Sequence, residues 1–435
     1  MAFVGFQWMQ QRAEDDREVA AMSALRAAGV PTNSDELRGF CEVPADVPDV
    51  TEPWIDIFAR HRKISNQIFN ETGIETTEGL PILWEEDRGR SIPPPGNDWD
   101  REQQCAVYLD RFREVIRDAR SQSMLPGGIR GLTIAHLDDN EPHPTFDGYS
   151  SLGRLLILDC HFQARVGRWE EALIDLHAAL ALVNTGRFEP EFNGAMILER
   201  VHSLAAIAAV RLAAKGVWSN QQLSELQEAI AKPDFRRRLQ RAHRGTVGSN
   251  FTMVDAGDSM VAKTFFQESQ SIYAEQMLLV IDGFNNEWPD VFESQQAFMV
   301  YLDELDTQPK SKRRSLPFIL LSPATVSICQ ETAEAVAIQR AAVIALACQR
   351  QKQTTDCLPT QLDEITPELL PPNFSSVDPF TGVPMKLVLT SAGPVVYSCG
   401  RNHQDEGGRI FKDEEFERAA DTGVLSGWTE QSSAQ

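Results

Sequence analysis

The sequence predicts a mainly α-helical protein, with antiparallel helical hairpins in a solenoid-like or bundle-like body and a small C-terminal β-hairpin module. Apolar residues recur at helical spacing as far as Lys352. Glycine and proline mark the ends of these stretches. Beyond Lys352, prolines are frequent and two short β-rich runs follow, which is the pattern of a hairpin rather than of a long helix.

The composition of the 435 residues is globular and strongly acidic. Hydrophobic residues make up 42 %, which argues against wholesale disorder. Lys and Arg total 41 and Asp and Glu total 63, so the formal net charge is −22. Phosphate backbones and anionic membranes attract clustered cations. We therefore expect no nucleic-acid partner and no peripheral membrane-surface binding.

Residues 1–45 are predicted to form N-terminal helices. A helix over Glu14–Ala28 ends at Gly29, and Asn33 caps a second, shorter one. The preceding run Phe3–Met9 is unusually apolar. It is either a helix start docked on the core or the stub of an N-terminal membrane anchor, with Trp8 at the interface.

Residues 46–148 are predicted to contain helices and proline-rich loops. The helices are Trp54–Phe69 and Trp99–Arg120, separated by an irregular loop with three consecutive prolines. The loop that follows carries His136, Asp138, Asp139 and His143. Imidazole and carboxylate groups can hold a metal, although the spacing matches no known metal-site pattern. Solvated polar side chains are the alternative.

Residues 149–323 are predicted to form the α-helical body. One helix runs from Tyr149 to Val166, and a second begins at Trp169 in the stretch Gly167-Arg168-Trp169-Glu170-Glu171-Ala172-Leu173. This pair resembles a tetratricopeptide hairpin, in which small residues let two helices approach. The resemblance implies that Ala172 and Ala179 are the small contacts and Trp169 the wedge. The 34-residue period does not recur, so we expect one such hairpin rather than an array.

Two patterns within this body suggest chemistry or binding. Glu199 and His202 have the Glu-x-x-His spacing of di-iron bundles, but no second copy exists, so we expect a surface Glu199 and a partly buried His202. Arg237, Arg241 and Arg244 share one face of a helix that ends before Gly245. They form either an interaction surface for an acidic partner or internal pairs with carboxylates.

Residues 324–435 are predicted to hold a long helix, the β-hairpin module and an acidic tail. The helix covers Ala324–Lys352, and the strands are Met385–Leu389 and Val395–Cys399. The segments Leu358–Ile365, Asp378–Pro384 and Val396–Gly400, with the acidic turn Asp405-Glu406-Gly407-Gly408, resemble the C-terminal portion of type II secretion pseudopilins. That resemblance implies a calcium ion held by Asp405 and Asp378, because calcium prefers oxygen ligands.

A second resemblance covers most of the chain. Five segments are similar to those of a group of uncharacterised helical proteins common in planctomycete bacteria. They are Leu25–Pro31, Arg154–Leu156, Gly167–Ala172, Asp378–Gly382 and Tyr397–Gly400. Members of that group often carry one N-terminal membrane helix. The resemblance implies a bacterial cell-envelope location if an anchor precedes this chain, and a cytoplasmic location otherwise.

The sequence favours a non-enzymatic protein-interaction or scaffold protein of the bacterial cell envelope, with an unidentified protein partner. Helical hairpins supply binding surface, and the sequence contains no GxSxG, HExxH, Walker A or GxGxxG motif. Two alternatives stay open. One is an enzyme of unrecognised type that uses the loop with His136, Asp138, Asp139 and His143. The other is a pseudopilin-related assembly subunit.

Overall fold

The computed structural model confirms a mainly helical fold with a small antiparallel sheet near the C-terminus. It describes residues 16, 17, 19–72, 92–131, 147–255, 270–295, 298, 300, 316–410 and 421–426. The helices are α1 (residues 19–27), α2 (Ser34–Cys41), α3 (Thr51–Thr72), α4 (Glu102–Arg111), α5 (Arg113–Ser123), α6 (Asp147–Arg165), α7 (Trp169–Thr185), α8 (Phe192–Ala213), α9 (Asn220–Ala231), α10 (Phe235–Asp255), α11 (Gln270–Gly283), α12 (residues 290–295) and α13 (Leu316–Thr355).

The chain divides into two compact units, each built from separated segments. The first contains Met1–Glu42, Glu189–Ala195 and Arg236–Glu331. The second contains Val43–Phe188, Met196–Phe235 and Thr332–Gln435. No helix of the described part is both long and apolar enough to cross a membrane.

In the first unit, α10 and α11 lie antiparallel. At one end of the pair, the Arg236 guanidinium donates to the carbonyl oxygens of Phe284, Asn285 and Asn286, each at 3.1 Å, and thereby caps the end of α11. At the other end, the Asn250 amide donates to the Tyr273 hydroxyl at 2.8 Å. The buried Phe284 ring also meets the His243 ring of α10 edge to face, with centroids 5.4 Å apart.

Helix α10 extends eleven residues beyond Arg244, where the predicted helix ended, so that prediction was wrong. A Cβ atom at Gly245 would lie 2.1 Å from the Pro190 carbonyl oxygen, and one at Gly248 would lie 2.4 Å from Pro31 Cγ. These glycines therefore serve close approach of neighbouring backbone rather than helix termination.

In the second unit, α6 and α7 form the predicted helical hairpin. Ala172 and Ala179 are fully buried in the core. The Trp169 and Trp218 rings meet edge to face with centroids 6.3 Å apart, and Trp218 Nε1 donates to the Trp169 carbonyl at 3.2 Å. The hairpin contributes to one large apolar core that also includes residues of α3, α5, α8, α9 and α13.

Helix α13 leads into the C-terminal module through two short 3₁₀ turns, Leu362–Glu364 and Pro367–Leu369. The predicted hairpin is present as strands β1 (Lys386–Thr390) and β2 (Gly393–Ser398). A third strand, β3 (Thr422–Leu425), pairs antiparallel with β2 and gives the sheet order β1-β2-β3. The sequence analysis missed β3.

None of the seven cysteines forms a disulfide bond. Cys357 is exposed and the other six are buried. Burial raises the pKa of the Cys41, Cys105 and Cys348 thiols to about 12.

Candidate functional site

One group of predicted site residues falls outside the described part of the chain. His136, Asp138, Asp139 and His143 lie outside the described residues, as do the apolar run Phe3–Met9 and the acidic stretch at 413–417. The enzyme alternative that used this loop stays a prediction. In the part of the chain that is described, no group of three or more His, Cys, Asp or Glu side chains is placed to hold a metal ion.

Asp378 is a buried structural acceptor. Its Oδ1 accepts hydrogen bonds from the Phe380 amide and the Ser398 hydroxyl, both at 2.8 Å, and its Oδ2 accepts from the Cys399 amide at 3.0 Å. The carboxylate thus joins the loop before β1 to the end of β2. A calcium ion at Asp378 would have to displace these donors.

Asp405, the other predicted calcium ligand, binds a different set of donors. Its Oδ2 accepts from Lys386 Nζ at 2.5 Å, and its Oδ1 accepts from the Tyr397 hydroxyl and the Gly407 amide, both at 3.0 Å. These contacts hold the pKa of the Asp405 carboxyl below its usual value. As arranged, the two carboxylates satisfy protein donors, and calcium binding stays a prediction.

The predicted arginine cluster is divided between the solvent and the interior of the first unit. Arg237 is exposed, whereas Arg241 and Arg244 are half-buried. Arg241 donates to the Phe40 carbonyl, which caps α2, and its guanidinium lies 4.2 Å from the centre of the Phe40 ring. Burial lowers the pKa of Arg241 and of Arg244. The interaction role predicted for these residues stays untested.

Glu199 is not the surface residue that we expected. It is 3 % exposed, and its carboxylate accepts from the buried Thr332 hydroxyl at 3.0 Å, which ties α8 to α13. His202 is fully buried, with its Nε2 2.9 Å from the Ile230 carbonyl. Residues three apart share one face of a helix, so apolar neighbours on that face carry Glu199 and His202 into the interior. The partner of Glu199 lies on a distant helix, and local spacing does not reveal it.

A buried ionic cluster joins three helices of the second unit. It was not predicted from the sequence. Arg120 of α5 forms two bonds of 2.7 Å to Asp175 of α7 and one of 2.9 Å to Asp159 of α6. Gln163 donates to the other Asp159 oxygen at 2.7 Å. Burial raises the pKa of both carboxyls, most strongly that of Asp175. The sequence does contain a signal for this cluster, an aspartate within each of two apolar helices. A buried carboxylate needs a hydrogen-bonding or charged partner, so each aspartate indicates that such a partner exists.

The C-terminal sheet is fixed to α13 by several polar contacts. The Arg401 guanidinium pairs with Glu334, and Arg340 donates to the Val377 carbonyl at 2.5 Å. One turn from the helix end, Arg350 donates to the Leu369 carbonyl at 3.0 Å. The module therefore has a defined position on the long helix of its unit.

Among the described residues, strand β1 forms an open edge of this sheet. In the register with β2, Leu389 lies opposite Pro394, which has no amide hydrogen to donate. The Pro394 carbonyl accepts from the Ser426 amide, just beyond β3, and so points away from β1. Leu389 and, two residues earlier, Leu387 therefore occupy non-hydrogen-bonded positions, and their N–H and C=O groups point away from β2. Val388 and Leu389 expose 37 % and 41 % of their surface.

Comparison with protein-family models, with curated proteins and with solved structures gave no match for this chain. Among the described features, the open edge of β1 is exposed, belongs to a module tied to α13 and can form directional hydrogen bonds. We take it as the candidate functional site.

Proposed function

We propose that the protein is a non-enzymatic interaction or scaffold protein of the bacterial cell envelope. The observation that carries this proposal is the open edge of β1 on a sheet that is tied to helix α13. An edge strand with free peptide groups is a template for another chain. A scaffold needs such a surface to be held in a fixed position.

The buried polar groups of the second unit support the same role. Arg120 joins α5, α6 and α7, and Glu199 joins α8 to α13. Arg165, whose side chain is 3 % exposed, donates to the carbonyl oxygens of Pro93, Pro94 and Asn97 and pairs with Glu102. Each of these groups connects separated segments, which favours a stiff body.

The envelope location comes from the resemblances of the sequence. The pseudopilin-related alternative draws on a second observation. A helix of 40 residues, α13, leads through short turns into the sheet. The pseudopilin resemblance implies a long helix that is followed by a turn and a strand. An assembly subunit would also use the sheet as a contact surface, so both versions predict protein partners.

The test is in-cell cross-linking of an epitope-tagged chain in its native host, followed by separation of envelope and cytoplasmic fractions. We expect discrete cross-linked species of defined mass in the envelope fraction. A chain that stays uncross-linked in every fraction would contradict the interaction role. Cross-linked species confined to the cytoplasm would contradict the envelope location alone.

A further inference from the structure

The open edge of β1 has the features of a strand-addition site. The Met385 amide donates to the Ser376 carbonyl at 2.8 Å, on the side of the strand that faces away from β2. The chain thus already pairs with this edge at the residue just before β1 begins. The next outward-pointing groups are the N–H and C=O of Leu387 and Leu389, which make no backbone hydrogen bond within the described residues.

Within the described part of the chain, the second half of β1 carries none of the devices that usually protect an edge. Natural sheets protect edges with lysine, proline, bulges or covering segments. Lys386, at the start of the strand, is paired with Asp405, and Leu387-Val388-Leu389-Thr390 follows without a charge. We infer that β1 binds an extended, positively charged segment of a partner protein, which pairs with the peptide groups of Leu387 and Leu389 and extends the sheet.

The side chains beside the edge define what the bound segment needs. Val388 lies opposite Val395 on the face that also carries the buried Tyr397 and Leu425. Leu387 packs against the main core on the other face. An added strand would place alternate residues next to these two faces, so β-branched apolar or threonine side chains suit both.

Electrostatics favours a cationic partner over a second copy of the chain. Each copy carries a net charge of −22, so two copies repel at low salt, whereas a basic segment is attracted. The described part of the module is itself acidic. Its acidic residues outnumber its basic residues, Lys386, Arg401 and Arg409. The acidic residues are Asp363, Glu364, Glu368, Asp378, Asp405, Glu406 and Asp421.

This inference rests on the proposed interaction function and names its partner class. The probe is a fluorescent, end-blocked peptide of sequence Lys-Thr-Val-Thr-Val-Thr-Lys, added to the full chain and followed by anisotropy. Its controls are the same peptide with glutamate in place of both lysines and one with proline in place of the central threonine. We expect the basic peptide to bind at least tenfold more tightly than either control.

A site-specific measurement locates the bound peptide. Amide hydrogen exchange of the leucine-labelled chain should slow at least tenfold at Leu387 and Leu389 on saturation with the basic peptide. The Val388 amide, which already bonds to β2, should not change in a valine-labelled sample. Leu389→Lys should weaken peptide binding at least tenfold, whereas Val383→Lys, which makes the same charge change at an exposed valine outside the strand, should not.

Three results would overturn the inference. The first is peptide binding that does not protect the Leu387 and Leu389 amides. The second is equal binding of the glutamate peptide. The third is protection of these amides in the chain alone as its concentration rises, which would identify a second copy as the occupant. The same variants separate this inference from the function itself. Cross-linked species in the cell that persist with Leu389→Lys would reject strand addition and leave the interaction role standing.

Discussion

Asp378 and Ser398 share a hydrogen bond of 2.8 Å in the interior of the C-terminal module. The Ser398 hydroxyl in turn accepts from the Gly400 amide at 3.0 Å, so one carboxylate organises the turn after β2. This carboxylate is 1 % exposed, and the three groups around it are all donors. An amide in its place would direct a second donor at one of them.

Asp378→Asn should therefore destabilise the module by about 1–3 kcal/mol, the cost of leaving a buried donor unsatisfied. Hydrogen exchange of the β2 amides should accelerate accordingly. Asp363→Asn, at an exposed position, is the matched control and should change nothing. Equal exchange rates in the two variants would show that the Asp378 contacts carry no net stability.

Removal of Arg120 should be among the most damaging single changes in the second unit. Arg120→Met leaves Asp159 and Asp175 buried without their cation, which typically costs about 3–5 kcal/mol. Arg117→Met, three residues earlier on an exposed face, should stay within about 0.5 kcal/mol of the wild type. Urea unfolding at neutral pH measures both.

Asp175→Asn provides the second arm of this test. It removes one of the two like charges while it keeps a partner for the guanidinium, so it should cost less than Arg120→Met. If both variants lose the same stability, the packing of the site rather than its charge balance is what matters.

Substitution of two helical glycines by alanine compares two opposite effects on stability. One is the steric clash of a new methyl group with neighbouring backbone, and the other is the gain in helix propensity. Gly245→Ala places a methyl group 2.1 Å from the Pro190 carbonyl oxygen and should cost about 1–3 kcal/mol in overpacking. Gly39→Ala, in α2, has no atom within 4 Å of the new methyl and should stabilise the protein by roughly 0.5–1 kcal/mol. Thermal unfolding of both variants gives the two signs, and the same sign in both would contradict this interpretation.

Acid should destabilise the protein through its buried histidines. Burial lowers the pKa of His61 to about 4 and of His161 and His243 to about 3. The unfolded chain takes up protons near pH 6.5 while the folded chain does not, so the stability is fully present above that pH. It is lost as the pH falls towards about 4, by roughly 1.4 kcal/mol per pH unit for each histidine.

His61→Phe tests one share of this effect, because the imidazole stacks on Phe112 with ring centroids 4.9 Å apart and a phenyl ring fits the same contact. The slope of unfolding free energy against pH between 6 and 4.5 should become shallower by about one proton. An unchanged slope in this variant would contradict the lowered pKa of His61.

The elements that sequence reasoning predicted well are those with local signals. The cap at Asn33 predicted the start of α2, and the two β-rich runs after Lys352 predicted the hairpin of β1 and β2. Strand β3 was missed because it has four residues and includes a glycine. Such a strand is recognisable only from its pairing with β2.

The candidate site depended even more on tertiary structure. Val388 and Leu389 read as ordinary strand residues, and only the three-strand order shows that β1 lies at an edge. The roles of Arg120 and Glu199 come from partners 39 to 133 positions away in the chain. Local periodicity contains no information on such separations, whereas buried charge in an apolar helix indicates only that some partner exists. The predicted segments were contiguous, whereas each compact unit combines three stretches of the chain.

The thiol distribution makes the protein a natural substrate for single-site labelling. Cys357 is the exposed cysteine, and it follows α13 by two residues, just before the turns that lead to the sheet. The other thiols are buried, and burial keeps several of them protonated at neutral pH. A maleimide dye added to the folded, unmutated chain should therefore attach at one position. That position lies in the C-terminal module, so the dye can report on partners that approach the sheet without any cysteine being engineered.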